Sequence, residues 1–122
     1  MTKVGEHITI DIIGTTNQEY NPSLFENVIN KIAKAANVTV LKISKYKFEP
    51  QGFTILALLA ESHMSFHTFP EKRIISFDFF TCGNIKPSVA INIMIKIFCV
   101  SIKFFFYNSF MFKFFFNNIY CN

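Results

Sequence analysis

Residues 60–71 read AESHMSFHTFPE, a stretch with two histidines, His63 and His67, two serines, Ser62 and Ser65, and two glutamates, Glu61 and Glu71. The chain has one further histidine, His7. Hydroxyl, imidazole and carboxylate groups this close suit metal binding, nucleophilic catalysis or plain structural hydrogen bonding. Histidines four apart on an extended segment face the same side. His63 and His67 could therefore begin a metal site, with His7 or Cys82 as the candidate third ligand. No carboxylate cluster accompanies them, and the expectation is no bound metal. A serine or cysteine hydrolase would want a nucleophile elbow such as GxSxG, which is absent. For two histidines beside a strand, a structural role is the commoner case.

These residues need elements to hold them. Residues 7–13, HITIDII, alternate and are β-branched, so they predict a strand. GTTNQEYN, residues 14–21, is turn-like, and Asn21 before Pro22 is a helix start. Behind it Leu24, Phe25, Val28, Ile29, Ile32 and Ala36 mark one helical face. A second strand runs from Val38 to Phe48 and ends in the turn EPQG. FTILALLA, residues 53–60, is apolar throughout and reads as a central strand. MSFHTF alternates again, RIISFDFF is a fourth main strand closed by TCGN, and a second helix runs from Pro87 to Phe98. The order β, α, β, β, β, α predicts an α+β fold, a two-layer sandwich with an antiparallel sheet and helices on one face. The sheet's other face then needs a cover, and a second copy in a homodimer supplies it.

Composition narrows the function class. The formal charge is +4, but residues 1–90 carry nine Lys/Arg against eight Asp/Glu. The excess sits at Lys96, Lys103 and Lys113, so the body has no basic stripe for nucleic acid. Three cysteines, Cys82, Cys99 and Cys121, without CxxC spacing argue against a disulfide framework and a zinc cluster. The N-terminus has no signal-like apolar run, because Glu6, His7 and Asp11 interrupt it. A reducing cytoplasm is the expected compartment.

The C-terminal third differs in kind. Nine of the seventeen phenylalanines lie after residue 97, and seventeen of the twenty residues from Lys103 to Asn122 are Phe, Ile, Asn, Lys or Tyr. No uncharged run after Lys96 exceeds nine residues, as in Phe104–Phe112, against the ~20 a membrane-spanning helix needs. The triple phenylalanines fit neither a period of 2 nor one of 3.6. AT-rich codons encode these residue types. The expectation is a domain over residues 1–98 and an atypical tail, 99–122, of frameshift or read-through character, dispensable for chemistry.

ESHMSFHTFPE followed by DFFTCGN closely resembles the small bacterial and archaeal S-adenosylmethionine decarboxylase proenzymes. That family typically shows ESHLSIHTWPE and then a strand ending in D-x-F-TCG. G-x-H-x-x-x-D in residues 5–11 and F-x-P-x-G in residues 48–52 also match. The resemblance covers residues 4 to about 96. Phe69 replaces the usual Trp, Thr54 the usual Ser, and EKRIIS a Gly/Tyr-rich connection; the tail does not match.

The resemblance implies what the opening stretch is for. In the family the Glu–Ser bond cuts itself, which here is Glu61–Ser62. The Ser62 hydroxyl attacks the Glu61 carbonyl, and the ester formed eliminates. Loss of ammonia leaves a pyruvoyl group on the new chain starting at 62, the other chain being 1–61. His67 matches the histidine of that proton transfer, and Thr54 could hold the Glu61 carbonyl or the cyclic intermediate. The pyruvoyl ketone then takes the amine of S-adenosylmethionine as a Schiff base and accepts electrons as CO₂ leaves. Cys82 matches the donor that protonates the substrate carbon. Phe48 matches an adenine-stacking aromatic and Glu71 a carboxylate for the ribose hydroxyls. Asp11 is either a charge partner for the substrate cation or a solvent-facing strand residue. The alternatives are pyruvoyl-dependent decarboxylation of arginine or ornithine, or an inactive product with a damaged C-terminus.

Overall fold

The computed structural model describes residues 5–15, 21–98, 101–108 and 116–119. Seven strands form one antiparallel sheet: β1 (Gly5–Ile13), β2 (Val40–Lys47), β3 (Phe53–Leu59), β4 (Ser62–Phe69), β5 (Ile74–Cys82), β6 (Ser101–Asn108) and β7 (Phe116–Ile119). Their order across the sheet is β2-β3-β4-β5-β1-β6-β7. Helix α1 (Pro22–Ala36) follows β1, and α2 (Val89–Phe98) follows β5. Among these residues no helix is long and apolar enough to cross a membrane.

Alternation sorts each strand into two faces. Ile8, Ile10 and Ile12 of β1, Ile55 and Leu59 of β3, Met64 and Phe66 of β4, and Ile75 and Phe79 of β5 are fully buried. They share one core with Phe25, Val28, Ile29 and Ile32 of α1 and Met94 of α2. Phe25 is its hub, with ring centroids 5.0 Å from Phe53, 5.0 Å from Phe66 and 5.7 Å from Phe98. The helix starts where the sequence predicts: the Asn21 side chain accepts from the Ser23 amide at 2.9 Å, a cap contributing about 1 kcal/mol. It ends at Asn37, whose left-handed backbone lets its amide reach Ala33 and Lys34. The α+β class and the helices on one face are as expected.

Two expectations need correction. β3 is not central but second from the edge, and its Leu56 and Leu58 are 50% and 54% exposed on the face away from the helices. A continuous apolar run does not distinguish that position from a doubly covered one. MSFHTF belongs to a full strand, β4, so five strands precede α2 rather than four. β6 lies past residue 98 and pairs with β1 from Glu6↔Asn108 to Ile13↔Ser101; the division into a domain over 1–98 and a tail over 99–122 stays an expectation. Residues 16–20 of the predicted turn, Cys99, Cys121 and tail residues 109–115 and 120–122 lie outside the described residues.

Candidate active site

The face away from the helices carries a band of polar side chains beside exposed apolar ones. β1 contributes His7, Thr9 and Asp11; β5 contributes Ser76, Asp78, Phe80 and Cys82. β4 contributes His63, Ser65, His67 and Phe69, and β3 contributes Thr54 beside the two exposed leucines. The antiparallel register decides which of these meet.

At one end Thr54 pairs with His67 across β3 and β4. The Thr54 hydroxyl and His67 Nδ1 are hydrogen-bonded at 2.9 Å. Phe48, Gln51, Phe69 and Glu71 join them around a cavity of about 290 Å³. Phe48 remains 48% exposed, so its ring is open to a ligand. The turn Pro70–Lys72 after β4 carries Glu71 to this rim. Four predicted residues, Phe48, Thr54, His67 and Glu71, are thus brought together.

At the other end lies the Glu61–Ser62 bond. Ala60 and Glu61 form the tight turn between β3 and β4. Glu61 has φ of 61°, in the left-handed region. A residue with a Cβ is held there at a cost of about 1–2 kcal/mol. Ser62 is buried at 7% exposure, and its hydroxyl lies 3.5 Å from the Ala60 carbonyl. β4 and β5 pair His63 with Phe80; two residues further in that register, Glu61 falls level with Cys82. Cys82 is half-buried and faces Gly5 across the β1–β5 ladder. A Cβ on Gly5 would collide with the Thr81 carbonyl and come within 3.0 Å of the Phe80 ring. Only glycine lets β1 approach beside Cys82.

The two ends do not meet within one chain. Ser62 and His67 stand five residues apart on β4, about 17 Å along a strand at ~3.3 Å per residue. The odd spacing also turns their side chains to opposite faces. Thr54 and Glu61 are likewise at opposite ends of the β3–β4 hairpin. Asp11 takes a third position: it accepts a 2.8 Å bond from Ser76 and lines a cavity of about 460 Å³ with His63, Ser65, His67 and Asp78. His67 borders both cavities.

The middle of the face holds a group that the sequence reading missed. Asp78 Oδ2 accepts from His7 Nε2 at 2.7 Å and from His63 Nε2 at 3.2 Å. Ser65 donates to the other carboxylate oxygen. Burial pushes the Asp78 pKa up, but hydrogen bonds from His7 and Ser65 and the charges of His7 and His63 outweigh it, leaving it below the ordinary value. His7 does join His63, as the metal option required; the third member is Asp78 rather than His67 or Cys82. The available signal was one carboxylate inside the apolar run IISFDFF, on the face that also carries Ser76.

The chain is similar to known proteins. A family model described as S-adenosylmethionine decarboxylase matches residues 6–103. An S-adenosylmethionine decarboxylase proenzyme of Brevibacillus brevis is 36% identical over 95 residues, covering 76% of this chain and 71% of that protein. One from Prochlorococcus marinus is 43% identical over 82 residues, 66% of each. The crystal structure of the adenosylmethionine decarboxylase from Aquifex aeolicus superposes with a TM-score of 0.79 at 27% identity, covering 93% of this chain and 96% of that one.

Proposed function

The chain belongs to the S-adenosylmethionine decarboxylase family, and we propose that it is a proenzyme that cuts its own Glu61–Ser62 bond and then decarboxylates S-adenosylmethionine. The observation that carries the reading is the left-handed Glu61 immediately before a buried serine, with Cys82 level with the bond. Strain at Glu61 raises the starting state, and whatever part of it is released as Ser62 Oγ attacks the Glu61 carbonyl lowers the barrier. The residues fit the pyruvoyl group of this family, since a serine stands at the first position of the new chain. That group supplies a ketone able to accept the electron pair released as CO₂ departs. Cys82 delivers the proton to the substrate carbon.

Phe48 and Glu71 suit an adenosine moiety. The exposed ring stacks on a purine, and the carboxylate accepts from two ribose hydroxyls. A sulfonium beside aromatic faces gains about 0.5–2 kcal/mol. The hydrogen bond between the Thr54 hydroxyl and His67 Nδ1 fixes that ring and leaves Nε2 for proton transfer.

The separation of His67 from Ser62 supports a homodimer. A twofold axis that packs the open faces antiparallel sets the Thr54–His67 end of one copy over the Glu61–Cys82 end of the other. Each site then takes its nucleophile and thiol from one chain and its histidine and carboxylate from the partner. Exposed Leu56, Leu58 and Phe69 supply apolar area for that packing.

Mass spectrometry of the purified protein is expected to find residues 1–61 and a second chain with a blocked, ketone-bearing start. Ser62→Ala leaves the chain whole, whereas Cys82→Ala processes and loses turnover. Co-expressing Ser62→Ala with His67→Ala restores cleavage of the His67→Ala chain if the histidine acts across the dimer. An intact chain in folded wild-type protein refutes the self-cleavage. Cleavage in neither partner of the mixed pair refutes the shared site.

A further inference from the structure

His7, His63 and Asp78 have no task in the reaction proposed above, yet they converge on one point of the open face. They come from three neighbouring strands, β1, β4 and β5, with both histidines opposite Phe80 and Asp78 two residues before it. Two antiparallel ladders therefore fix all three Cα positions, and only side-chain ends need to adjust. One ring nitrogen of each histidine and one carboxylate oxygen lie within 4.8 Å of one another. The two edges that meet at Asp78 Oδ2 measure 2.7 and 3.2 Å. Around a tetrahedral ion with ligands at about 2.0–2.1 Å, adjacent donor atoms stand roughly 3.3 Å apart.

We propose that His7, His63 and Asp78 form a site for a divalent transition-metal ion of the zinc class. Two imidazole nitrogens and one carboxylate oxygen are the donors of such ions, whereas magnesium and calcium prefer all-oxygen shells. Ser65 holds the second carboxylate oxygen, which orients Asp78 and keeps Oδ2 for the ion. Phe80 braces both rings, stacked on His63 at 5.8 Å and edge-on to His7 at 6.1 Å. With the ion at Nε2, each ring carries its proton on Nδ1. His63 and Asp78 also line the cavity of about 460 Å³, so the remaining coordination position opens to water or a small anionic ligand there. The site shares its cavity with His67 and Asp11, but its loading depends on neither cleavage nor turnover, so it can be tested whether or not the chain processes.

The test is equilibrium dialysis of the chelator-stripped full-length protein against zinc, with bound cobalt(II) followed by its visible absorption. One zinc per chain is expected. Asp78→Asn and His63→Gln should each weaken binding at least tenfold, and Ser65→Ala about 10- to 100-fold. His67→Gln and Cys82→Ser should keep the stoichiometry. His63 has a side chain 51% exposed, so His63→Gln remains decisive should Asp78→Asn fail to fold. No retained zinc overturns the proposal. So does zinc that survives His63→Gln, or that is lost with Cys82→Ser.

Discussion

Replacing Glu61 with glycine isolates the strain at the cleavage bond. Glu61 sits at φ of 61° in the turn between β3 and β4. Glycine adopts that conformation without the Cβ clash, so the folded precursor is relaxed by about 1–2 kcal/mol. If the transition state for attack by Ser62 has already released the strain, it gains nothing from the change. The barrier then rises by the full amount, and cleavage slows about 5- to 30-fold, at tenfold per ~1.4 kcal/mol. Glu61→Gln separates geometry from charge: it keeps the Cβ and the strain and should process at close to the wild-type rate. The assay is a denaturing-gel time course on freshly refolded precursor, with a Ser62→Ala background to record the stability of the uncut chain. Glu61→Gly that cuts as fast as wild type refutes strain as a contributor. A Glu61→Gln as slow as the glycine variant shifts the effect to the carboxylate.

Phe25→Ala removes the ring against which Phe53, Phe66 and Phe98 pack, and should cost about 3–5 kcal/mol in urea unfolding of the Ser62→Ala chain. Hydrogen bonds and the charges of His7 and His63 hold the Asp78 carboxyl below its ordinary range, so its contribution is present above the unfolded pKa and is lost as pH falls through the lower folded one. Asp78→Asn should accordingly flatten the acid limb of the stability profile, measured by thermal melts across the acidic range. Truncation after Phe98 removes β6 and bares the edge of β1 from Glu6 to Ile13. At about 0.5–1.5 kcal/mol for each ladder bond lost, the truncated chain should lose several kcal/mol and aggregate, read by soluble yield and extent of cleavage. Equal yield and cleavage would support a domain boundary at residue 98.

Legibility followed the range of the interactions. The Asn21–Pro22 helix start, the buried stripe of α1 and the alternation of β1 are local, and all were readable. Strand position was not. Leu56 and Leu58 look as apolar as Ile55 and Leu59, and only the order of strands shows which pair meets the core. The register of the tail was not readable either: Ile102, Phe104 and Phe106 pair with Ile12, Ile10 and Ile8, while Lys103 pairs with Asp11. The candidate site divided in the same way. Thr54, His67, Phe48 and Glu71 gather within reach of one hairpin and its flanking turns, whereas the triad at Asp78 needs contacts 15 and 71 residues apart in sequence. No periodicity in one segment reports such pairings.

The placement of His67 bears on how far one copy of the sheet can function alone. A general acid or base acts within hydrogen-bond reach of its proton, directly or through one water. Rotamer changes cannot close about 17 Å along a strand whose hydrogen bonds hold it on both sides. Moving His67 to Ser62 inside one chain would mean breaking the β3–β4 or β4–β5 ladder, and with it the core beneath Met64 and Phe66. The rigid sheet therefore favours bringing the histidine from outside. In the proposed homodimer a twofold-related copy would meet that need without distorting either sheet, its His67 end lying over this copy's Glu61–Cys82 end and its exposed leucines over this copy's open face. Processing that depends on protein concentration in the mixed Ser62→Ala and His67→Ala sample is the direct consequence of that geometry.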